Sequence, residues 1–259
     1  GQAMKTKADL VVIGAGIVGS STVYHLVKRG WRDIVVVDQG PMFETGGSTS
    51  HAPGLVFQTN FGKMMTDLAM ETVRVYNSLT LDGQPCFYPV GSLEVAYTPE
   101  RLTDLKRKLG AARSWGLEAD LISSDEAAEL VPLMDPSVIH GAYHVPSDGI
   151  AKAVRICEAM GRTSSEAAEY QGNTVVTGFR IRKGRVTTVE TSRGTIETEK
   201  VLLCVGIWGP KIGRMAGVSI PLMPVQHQYT LTEPLPELAG DTREVGHAVM
   251  RHQDFAMYF

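Results

Sequence analysis

The sequence predicts a mixed α/β fold in which an N-terminal βαβ unit is interleaved with a second domain built on a mixed β-sheet. Two short β-branched runs, residues 10–13 and 34–37, flank a glycine turn and a helical pattern that ends at Gly30. After Gly40 the chain enters a loop rich in glycine, serine, threonine and proline, where a regular βα unit would otherwise continue. A late β-meander then leads into an apolar strand that ends in Gly206. This order of elements indicates two interleaved domains.

Periodicity places the other elements. Helices are predicted at residues 63–79, 99–115, 124–130 and 151–160, with a strand at 92–97 and a turn-rich segment at 144–149. The meander has predicted turns at Lys183-Gly184, Arg193-Gly194 and Glu199-Lys200. Residues 220–232 alternate as a strand would, and one face holds Val225, His227, Tyr229 and Leu231. The first domain is expected to span residues 1–90 and 144–219, and the second residues 91–143 and 220–259.

Composition narrows the classes of partner. The 259 residues carry a net charge of −3, with 43% hydrophobic and 20% charged residues, so a globular chain is expected. Lys and Arg are scattered and no apolar run is long enough for a bilayer, which argues against nucleic acid and membrane as partners. The three cysteines lack metal-ligand spacing, so no metal site is expected. A reducing compartment is favoured, the cytoplasm or, in a eukaryote, the mitochondrial matrix.

The glycine turn fits a nucleotide-binding motif. Gly14, Gly16 and Gly19 have the spacing G-x-G-x-x-G between a strand and a helix, which permits a tight turn, close approach of the backbone to a pyrophosphate and close helix packing. Asp38 follows the second strand, 24 residues after Gly14, where a carboxylate can bind ribose hydroxyls. These features predict a dinucleotide site, but the motif does not choose between NAD(P) and FAD. The alternative is a glycine turn without a ligand.

Several segments spread over residues 11–254 carry a more specific signal: VVIGAGIVG, VVVDQGP, GGSTSHAPGLVFQTN, LKRKLG, HVPSDG, WGPKIG, HQY and RHQD. In these segments the chain resembles the FAD-dependent amine oxidoreductases of the D-amino-acid oxidase group. The resemblance is greatest to dimethylglycine oxidases and to dimethylglycine and sarcosine dehydrogenases. It implies that the first domain is a Rossmann-like FAD-binding domain and that the second is a substrate domain.

The resemblance also implies which residues hold FAD. In the related dehydrogenases the histidine of the S-T-x-H segment bears the flavin covalently, and His51 falls on that position. The alternatives for His51 are a non-covalent flavin contact and an ordinary loop residue. Val176 is expected to meet the adenine through its backbone, although a strand valine can equally belong to the core. The predicted cofactor-binding residues are Gly14, Gly16, Ile17, Val18, Gly19, Asp38, Gln39, Ser48, Thr49, Ser50, His51, Leu55 and Val176.

On the substrate side, the resemblance implies His227 and Tyr258 as the catalytic residues. Judged by its face alone, His227 would be a core histidine. The implied reaction is oxidation of an N-methyl amine such as dimethylglycine by hydride transfer to flavin N5, which gives a demethylated amine and formaldehyde or a folate adduct. The alternatives are oxidation of another secondary amine or amino acid, such as sarcosine or proline, and a catalytically silent dinucleotide-binding module.

The resemblance further implies an incomplete substrate domain. In the family the fold continues beyond the position of Phe259, so the sequence is expected to be truncated at its C-terminus. The missing strands are expected from the same longer chain or from a partner chain. A small-molecule amine is the expected substrate, and folate is expected only where a C-terminal folate-binding domain is present.

Overall fold

The computed structural model describes residues 3–44 and 46–259. Its helices are α1 Ile17–Lys28, α2 Ser48–His51, α3 Lys63–Asn77, α4 Pro99–Ser114, α5 Ser124–Leu130, α6 Ala153–Thr163 and α7 Gly209–Met215. Its strands are β1 Leu10–Ile13, β2 Ile34–Val37, β3 Leu55–Val56, β4 Thr80–Leu81, β5 Gln84–Pro85, β6 Phe87–Tyr88, β7 Ser92–Val95, β8 Asp120–Ile122, β9 Ala142–Val145, β10 Gly149–Ala151, β11 Ala168–Gln171, β12 Val176–Arg182, β13 Arg185–Thr191, β14 Gly194–Glu197, β15 Val201–Leu203, β16 Val249–His252 and β17 Met257–Tyr258. Within the described ranges, none of the helices has both the length and the apolarity of a membrane span.

The chain forms two compact units. The first contains the described residues up to Ala52, together with Thr80–Gln84 and Ala153–Gln228. The second contains Pro53–Leu79, Pro85–Lys152 and Tyr229–Phe259. The combination of helices with several separate sheets confirms the predicted mixed α/β class.

A parallel sheet with the order β11-β2-β1-β15 lies at the centre of the first unit. Strands β1 and β2 are continuous apolar runs that are buried along their whole length, as expected for strands covered on both faces. Val11 and Val35 enter a core that is shared with the meander, whereas Val12 and Val36 enter a core that is shared with α1. Because α1 follows β1 after three residues, its first turn lies at the carboxyl end of β1, and α1 also packs against α6.

The meander β12-β13-β14 forms a separate antiparallel sheet of the first unit. Its first hairpin turns at Lys183-Gly184, where both residues have positive φ angles, 49° and 76°, as a type I′ turn requires. Its second hairpin turns at Ser192-Arg193, because Thr191 pairs with Gly194. The first turn is therefore confirmed, and the second lies one residue earlier than predicted.

A five-stranded sheet with the order β17-β16-β7-β9-β8 lies at the centre of the second unit. Strand β16 runs parallel to β7, and the other neighbouring strands are antiparallel. Alternate residues of β9 enter different cores. Tyr143 and Val145 pack with Leu105 of α4, whereas Ala142 packs with Ala127 of α5. The two faces of this sheet are thus covered by different helices. A smaller sheet, β3-β10-β6, belongs to the same unit.

Side-chain caps define where α4 and α5 begin. Thr98 accepts a hydrogen bond from the backbone N–H of Arg101 at 3.1 Å, and Pro99 occupies the first turn. Ser123 and Glu126 form a reciprocal capping box. These helices confirm the helical patterns at 99–115 and 124–130.

Two local predictions were wrong. Residues 220–232 form no strand: residues 221–232 are exposed, and no strand in the described part of the chain pairs with them. An alternating pattern becomes a strand only where a neighbouring strand satisfies its backbone groups. The loop predicted after Gly40 contains one helical turn, α2, followed by the short strand β3.

Candidate functional site

The glycines of the turn lie in close contact with backbone carbonyl groups. Gly14 has φ +105°, and a Cβ atom on it would lie 2.1 Å from the carbonyl oxygen of Cys204. A Cβ atom on Gly19 would lie 1.9 Å from the carbonyl oxygen of Gly14. Neither position therefore accommodates a side chain without a shift of the neighbouring backbone.

The N-terminus of α1 is suited to an anion. Its N-cap residue is Gly16, and its first turn holds no acidic side chain. The backbone N–H of Ile17 donates to the Thr49 hydroxyl at 2.9 Å. The side chain of Val18 is 64% exposed, so it leaves the helix end open. Unpaired N–H groups and the helix dipole make such an end favourable for a phosphate.

Asp38 lies beside this helix end. Its Oδ2 accepts a hydrogen bond from the backbone N–H of Ala15, and its Oδ1 accepts one from the N–H of Gly40, both at 2.9 Å. A carboxylate has about four lone-pair sites, so two acceptor sites remain for ribose hydroxyls. Gln39 is exposed next to it. Val176 is 6% exposed and packs in the core with Val11.

Helix α2 brings the predicted flavin segment to the same helix end. Thr49 contacts Ile17, as described above, and Gly47 packs against Trp208, whose Cζ3 would lie 3.4 Å from a Cβ atom on that glycine. Ser50 donates to the carbonyl oxygen of Gly47 at 3.1 Å. The exposed Ser48 and the half-buried Ser50 flank Thr49. The glycine turn, Asp38 and α2 are therefore neighbours within the first unit.

The imidazole of His51 is anchored through one nitrogen. Its Nδ1 lies 2.9 Å from the carbonyl oxygen of Gly47 and 3.1 Å from the Ser50 hydroxyl. A carbonyl oxygen only accepts hydrogen bonds, so Nδ1 is the donor in this contact. His51 is exposed. Because Nδ1 is engaged by Gly47, Nε2 is the ring nitrogen that is left for a ligand.

These groups fit an adenine dinucleotide with a flavin. The helix end offers N–H donors to a pyrophosphate, Asp38 offers acceptors to a ribose, and α2 offers hydroxyls and an imidazole. Among the residues that the structure describes, no cluster of three or more His, Cys, Asp or Glu side chains could hold a metal ion.

The other predicted site residues lie apart from this group in the chain. Leu55 belongs to β3 and pairs with Ile150 in the second unit. His227 is exposed in the irregular segment at the end of the first unit. Tyr258 belongs to β17 in the second unit, opposite Arg251, and is 44% exposed.

Sequence reasoning missed a buried polar cluster in the second unit. Asp148 is 1% exposed and accepts hydrogen bonds from the Ser92 hydroxyl at 2.6 Å and from the backbone and side-chain N–H groups of Gln58, both at 2.9 Å. Burial raises the pKa of Asp148, while these hydrogen bonds and Lys108 oppose the shift. Glu94 is also buried and forms an ion pair with Lys108. The signals in the sequence are the polar residues within the predicted strand at 92–97 and the turn-rich segment at 144–149, which contains Asp148.

A tyrosine completes this cluster. The hydroxyls of Tyr143 and Thr59 are 2.7 Å apart, and Lys108 Nζ lies 5.6 Å from the centroid of the Tyr143 ring. Burial raises the pKa of Tyr143 to about 12, so its phenol stays protonated at neutral pH. A small pocket opens between this cluster, Phe57 and Arg251.

The chain matches the family model described as FAD dependent oxidoreductase (DAO) over residues 9–259. It is 34% identical over 242 residues to mitochondrial sarcosine dehydrogenase of Mus musculus, a match that covers 90% of this chain and 26% of that protein. It is 31% identical over 246 residues to mitochondrial dimethylglycine dehydrogenase of Rattus norvegicus, covering 93% and 28%. It is also 32% identical over 237 residues to the mitochondrial pyruvate dehydrogenase phosphatase regulatory subunit of Mus musculus, covering 90% and 27%. The chain therefore spans about a quarter of the length of these relatives.

A solved structure shows the same fold. The L-proline dehydrogenase from P. horikoshii superposes with a TM-score of 0.74 at 28% sequence identity. That match covers 83% of this chain and 57% of the other.

Proposed function

Because this chain belongs to the family of FAD-dependent oxidoreductases, we propose that it supplies the FAD site and part of the substrate site of an enzyme that oxidises an N-methyl amine such as dimethylglycine. The observation that carries this proposal is the match along 90% of the chain or more to relatives named sarcosine dehydrogenase and dimethylglycine dehydrogenase. Sarcosine and dimethylglycine are both N-methyl derivatives of glycine. In this proposal, the glycine turn, Asp38 and α2 form the FAD site of the domain that is expected to bind FAD.

The residues of the first unit would hold the cofactor. The N-terminal N–H groups of α1 would bind the pyrophosphate, and Asp38 the adenosine ribose. The backbone of Val176 would meet the adenine. When bound, FAD would supply the acceptor, at flavin N5, for the hydride removed from the N-methyl carbon.

His51 is the residue we assign to covalent attachment of the flavin. Its hydrogen bond to Gly47 engages Nδ1, so Nε2 would be the atom that bonds to the flavin. The hydrogen bond between Thr49 and Ile17 joins α2, which carries His51, to the first turn of α1. The segment therefore has both an anchored backbone and a nucleophile.

His227 and Tyr258 are the proposed catalytic residues. The amine must lose its methyl hydride from the unprotonated form, because an ammonium group has no lone pair to stabilise the resulting cation. His227 would bias the substrate toward the neutral amine, and the Tyr258 hydroxyl would hydrogen-bond the substrate. Hydrolysis of the cation gives formaldehyde, and a folate-binding domain, where present, would allow a folate adduct instead.

The test uses the full-length protein that contains this chain, loaded with FAD and kept free of oxygen. Dimethylglycine, sarcosine or proline is added, and the visible flavin absorbance is followed. We expect dimethylglycine to bleach the flavin and to release formaldehyde in equal amount. His227→Gln should change the pH dependence of bleaching, whereas the control His140→Gln should not. If proline bleaches the flavin and no formaldehyde is released, the substrate is another amino acid and not an N-methyl amine.

A second candidate is a catalytically silent dinucleotide-binding module. One relative that is 32% identical over 90% of this chain is named a regulatory subunit. Such a module needs the glycine turn and Asp38 but has no need of His51, His227 and Tyr258. Failure of all three amines to bleach a bound flavin would favour this candidate.

A further inference from the structure

Tyr258, the proposed catalytic tyrosine, lies on a strand with little support of its own. Strand β17 has two residues and forms the edge of the five-stranded sheet, where β16 is its neighbour in the described part of the chain. The side chain of Tyr258 is 44% exposed, so other side chains do not enclose it. Its position therefore depends on the backbone turn that leads from β16 into β17.

This turn contains a residue in an uncommon conformation. The chain leaves β16 through a helical turn at Gln253–Phe255 and reaches Ala256, whose φ of 51° and ψ of 39° are left-handed. Strand β17 begins at the next residue. A residue other than glycine rarely adopts such angles, and the conformation persists where the surrounding structure holds it in place. Contacts with the turn are therefore needed to keep Tyr258 where it lies.

An ion pair supplies one of these contacts. Arg101, in the first turn of α4, donates from Nε and Nη2 to Asp254 Oδ1, at 3.0 and 2.6 Å. The two side chains are 24% and 28% exposed, whereas Arg107 and Asp104, an ordinary surface pair of α4, are 76% and 53% exposed. The hydrogen bond from Arg101 lowers the pKa of Asp254, so the pair stays charged at neutral pH. Because water is partly excluded and the hydrogen bonds are charge-assisted, this pair joins the turn to α4 more firmly than a surface pair would.

Aromatic rings contact the same turn from the residue that precedes the cap of α4. The centroid of the Tyr97 ring lies 5.5 Å from that of Phe255 and 5.6 Å from that of His252. The rings of His252 and Phe255 stack on each other at 4.4 Å. The junction between β7 and α4 therefore contacts the turn twice, through Tyr97 and through Arg101.

We propose that the ion pair between Arg101 and Asp254 is a positioning contact, which fixes the turn after β16 and thereby places the hydroxyl of Tyr258 for the reaction. The inference rests on the proposed function, in which Tyr258 hydrogen-bonds the substrate. Loss of either partner releases the same turn, so the two losses should not add. A shift of about 1 Å in a positioned group is enough to slow an enzymatic reaction strongly.

The first measurement follows the hairpin itself and needs no turnover. Amide hydrogen exchange is recorded on peptides that cover β16 and β17 of the full-length FAD-loaded protein. In this hairpin the backbones of Met250 and Phe259 hydrogen-bond each other, at 3.0 and 2.8 Å. We expect their amides to exchange about fivefold faster in Arg101→Met and in Asp254→Asn, and no faster in the double variant. The matched control Arg107→Met removes an ion-paired arginine from the same helix and should leave the exchange unchanged.

The second measurement asks whether the ion pair acts through Tyr258. Flavin bleaching by dimethylglycine is followed without oxygen at several substrate concentrations, which separates the limiting rate constant from the Kd. We expect Arg101→Met to lower the limiting rate constant about tenfold, with its flavin content unchanged. In the Tyr258→Phe background, the same substitution should change the rate constant less than about twofold, because the hydroxyl is already absent there. A purely structural role for Arg101 would lower the rate constant equally in both backgrounds.

The possible outcomes separate this proposal from the proposed function. Unchanged hydrogen exchange in Arg101→Met and Asp254→Asn would overturn the positioning role, whatever the flavin does. Faster exchange with an equal loss of rate in both backgrounds would also overturn it, since the pair would then support the fold and not Tyr258. If exchange accelerates as expected but no amine bleaches the flavin, the ion pair does fix the turn, and it is the proposed amine oxidation that fails.

Discussion

Gly19→Ala tests whether the close packing of α1 against the glycine turn is essential for stability and for binding of the flavin. The added Cβ atom would lie 1.9 Å from the carbonyl oxygen of Gly14 and 3.0 Å from its carbonyl carbon. Since real Cβ contacts stay beyond 3.0 Å, α1 must move away from the turn by about 1 Å. Overpacking of this kind costs about 3 kcal/mol where the wall is backbone and cannot rotate away.

The control is Gly110→Ala in α4. This residue is exposed, and a Cβ atom on it would meet nothing within 4 Å. The same chemical change should therefore stabilise the protein by about 0.5–1 kcal/mol, since alanine favours a helix interior.

The assay is thermal unfolding of the full-length holoenzyme, combined with its flavin content after gel filtration. At about 2–4 °C per kcal/mol, Gly19→Ala should lower the melting temperature by about 6–12 °C and should incorporate less flavin per protein, whereas Gly110→Ala should raise the melting temperature slightly. A Gly19→Ala protein with a full flavin content and a melting temperature within a degree of the wild type would show that this close packing is not essential.

Two further predictions concern the neighbouring contacts. Thr49→Val removes the hydrogen bond to Ile17 and should weaken FAD binding by the apoprotein about fivefold, or about 1 kcal/mol. Thr49→Ser should bind FAD as the wild type does. Equal affinity of all three proteins for FAD would show that the contact does not contribute to binding. Burial raises the pKa of Asp148 in the folded state, so its contribution to stability is complete below its unfolded pKa and is lost as pH rises through the folded pKa. The free energy of unfolding, measured in urea from pH 4 upward, should therefore fall by an amount that is absent in Asp148→Asn. Parallel pH profiles for the two proteins would contradict the assignment.

The first unit was predictable where the signal is local. Strands β1 and β2 are continuous apolar runs, and the glycine spacing fixes the turn between β1 and α1. The contact of Thr49 with Ile17 joins residues 32 positions apart. It was not predictable from spacing, because it depends on how the loop after Gly40 folds back.

The second unit was less predictable because its site depends on pairing register. Arg251 and Tyr258 face each other only through the register of β16 with β17. Asp148 gathers donors from Gln58 and Ser92, which are 90 and 56 positions away in the chain. The segment at 220–232 shows the opposite error, since its alternation predicted a strand for which the described residues supply no partner.

The most direct test of the FAD site is to precipitate the purified full-length protein with acid and to analyse the tryptic peptide of residues 33–63, which contains His51. We expect a yellow pellet, a flavin adduct on this peptide at His51, and loss of that adduct in His51→Ala. Flavin released into the supernatant would contradict covalent attachment and leave His51 as a contact. A colourless protein that FAD cannot reconstitute would contradict the site as a whole.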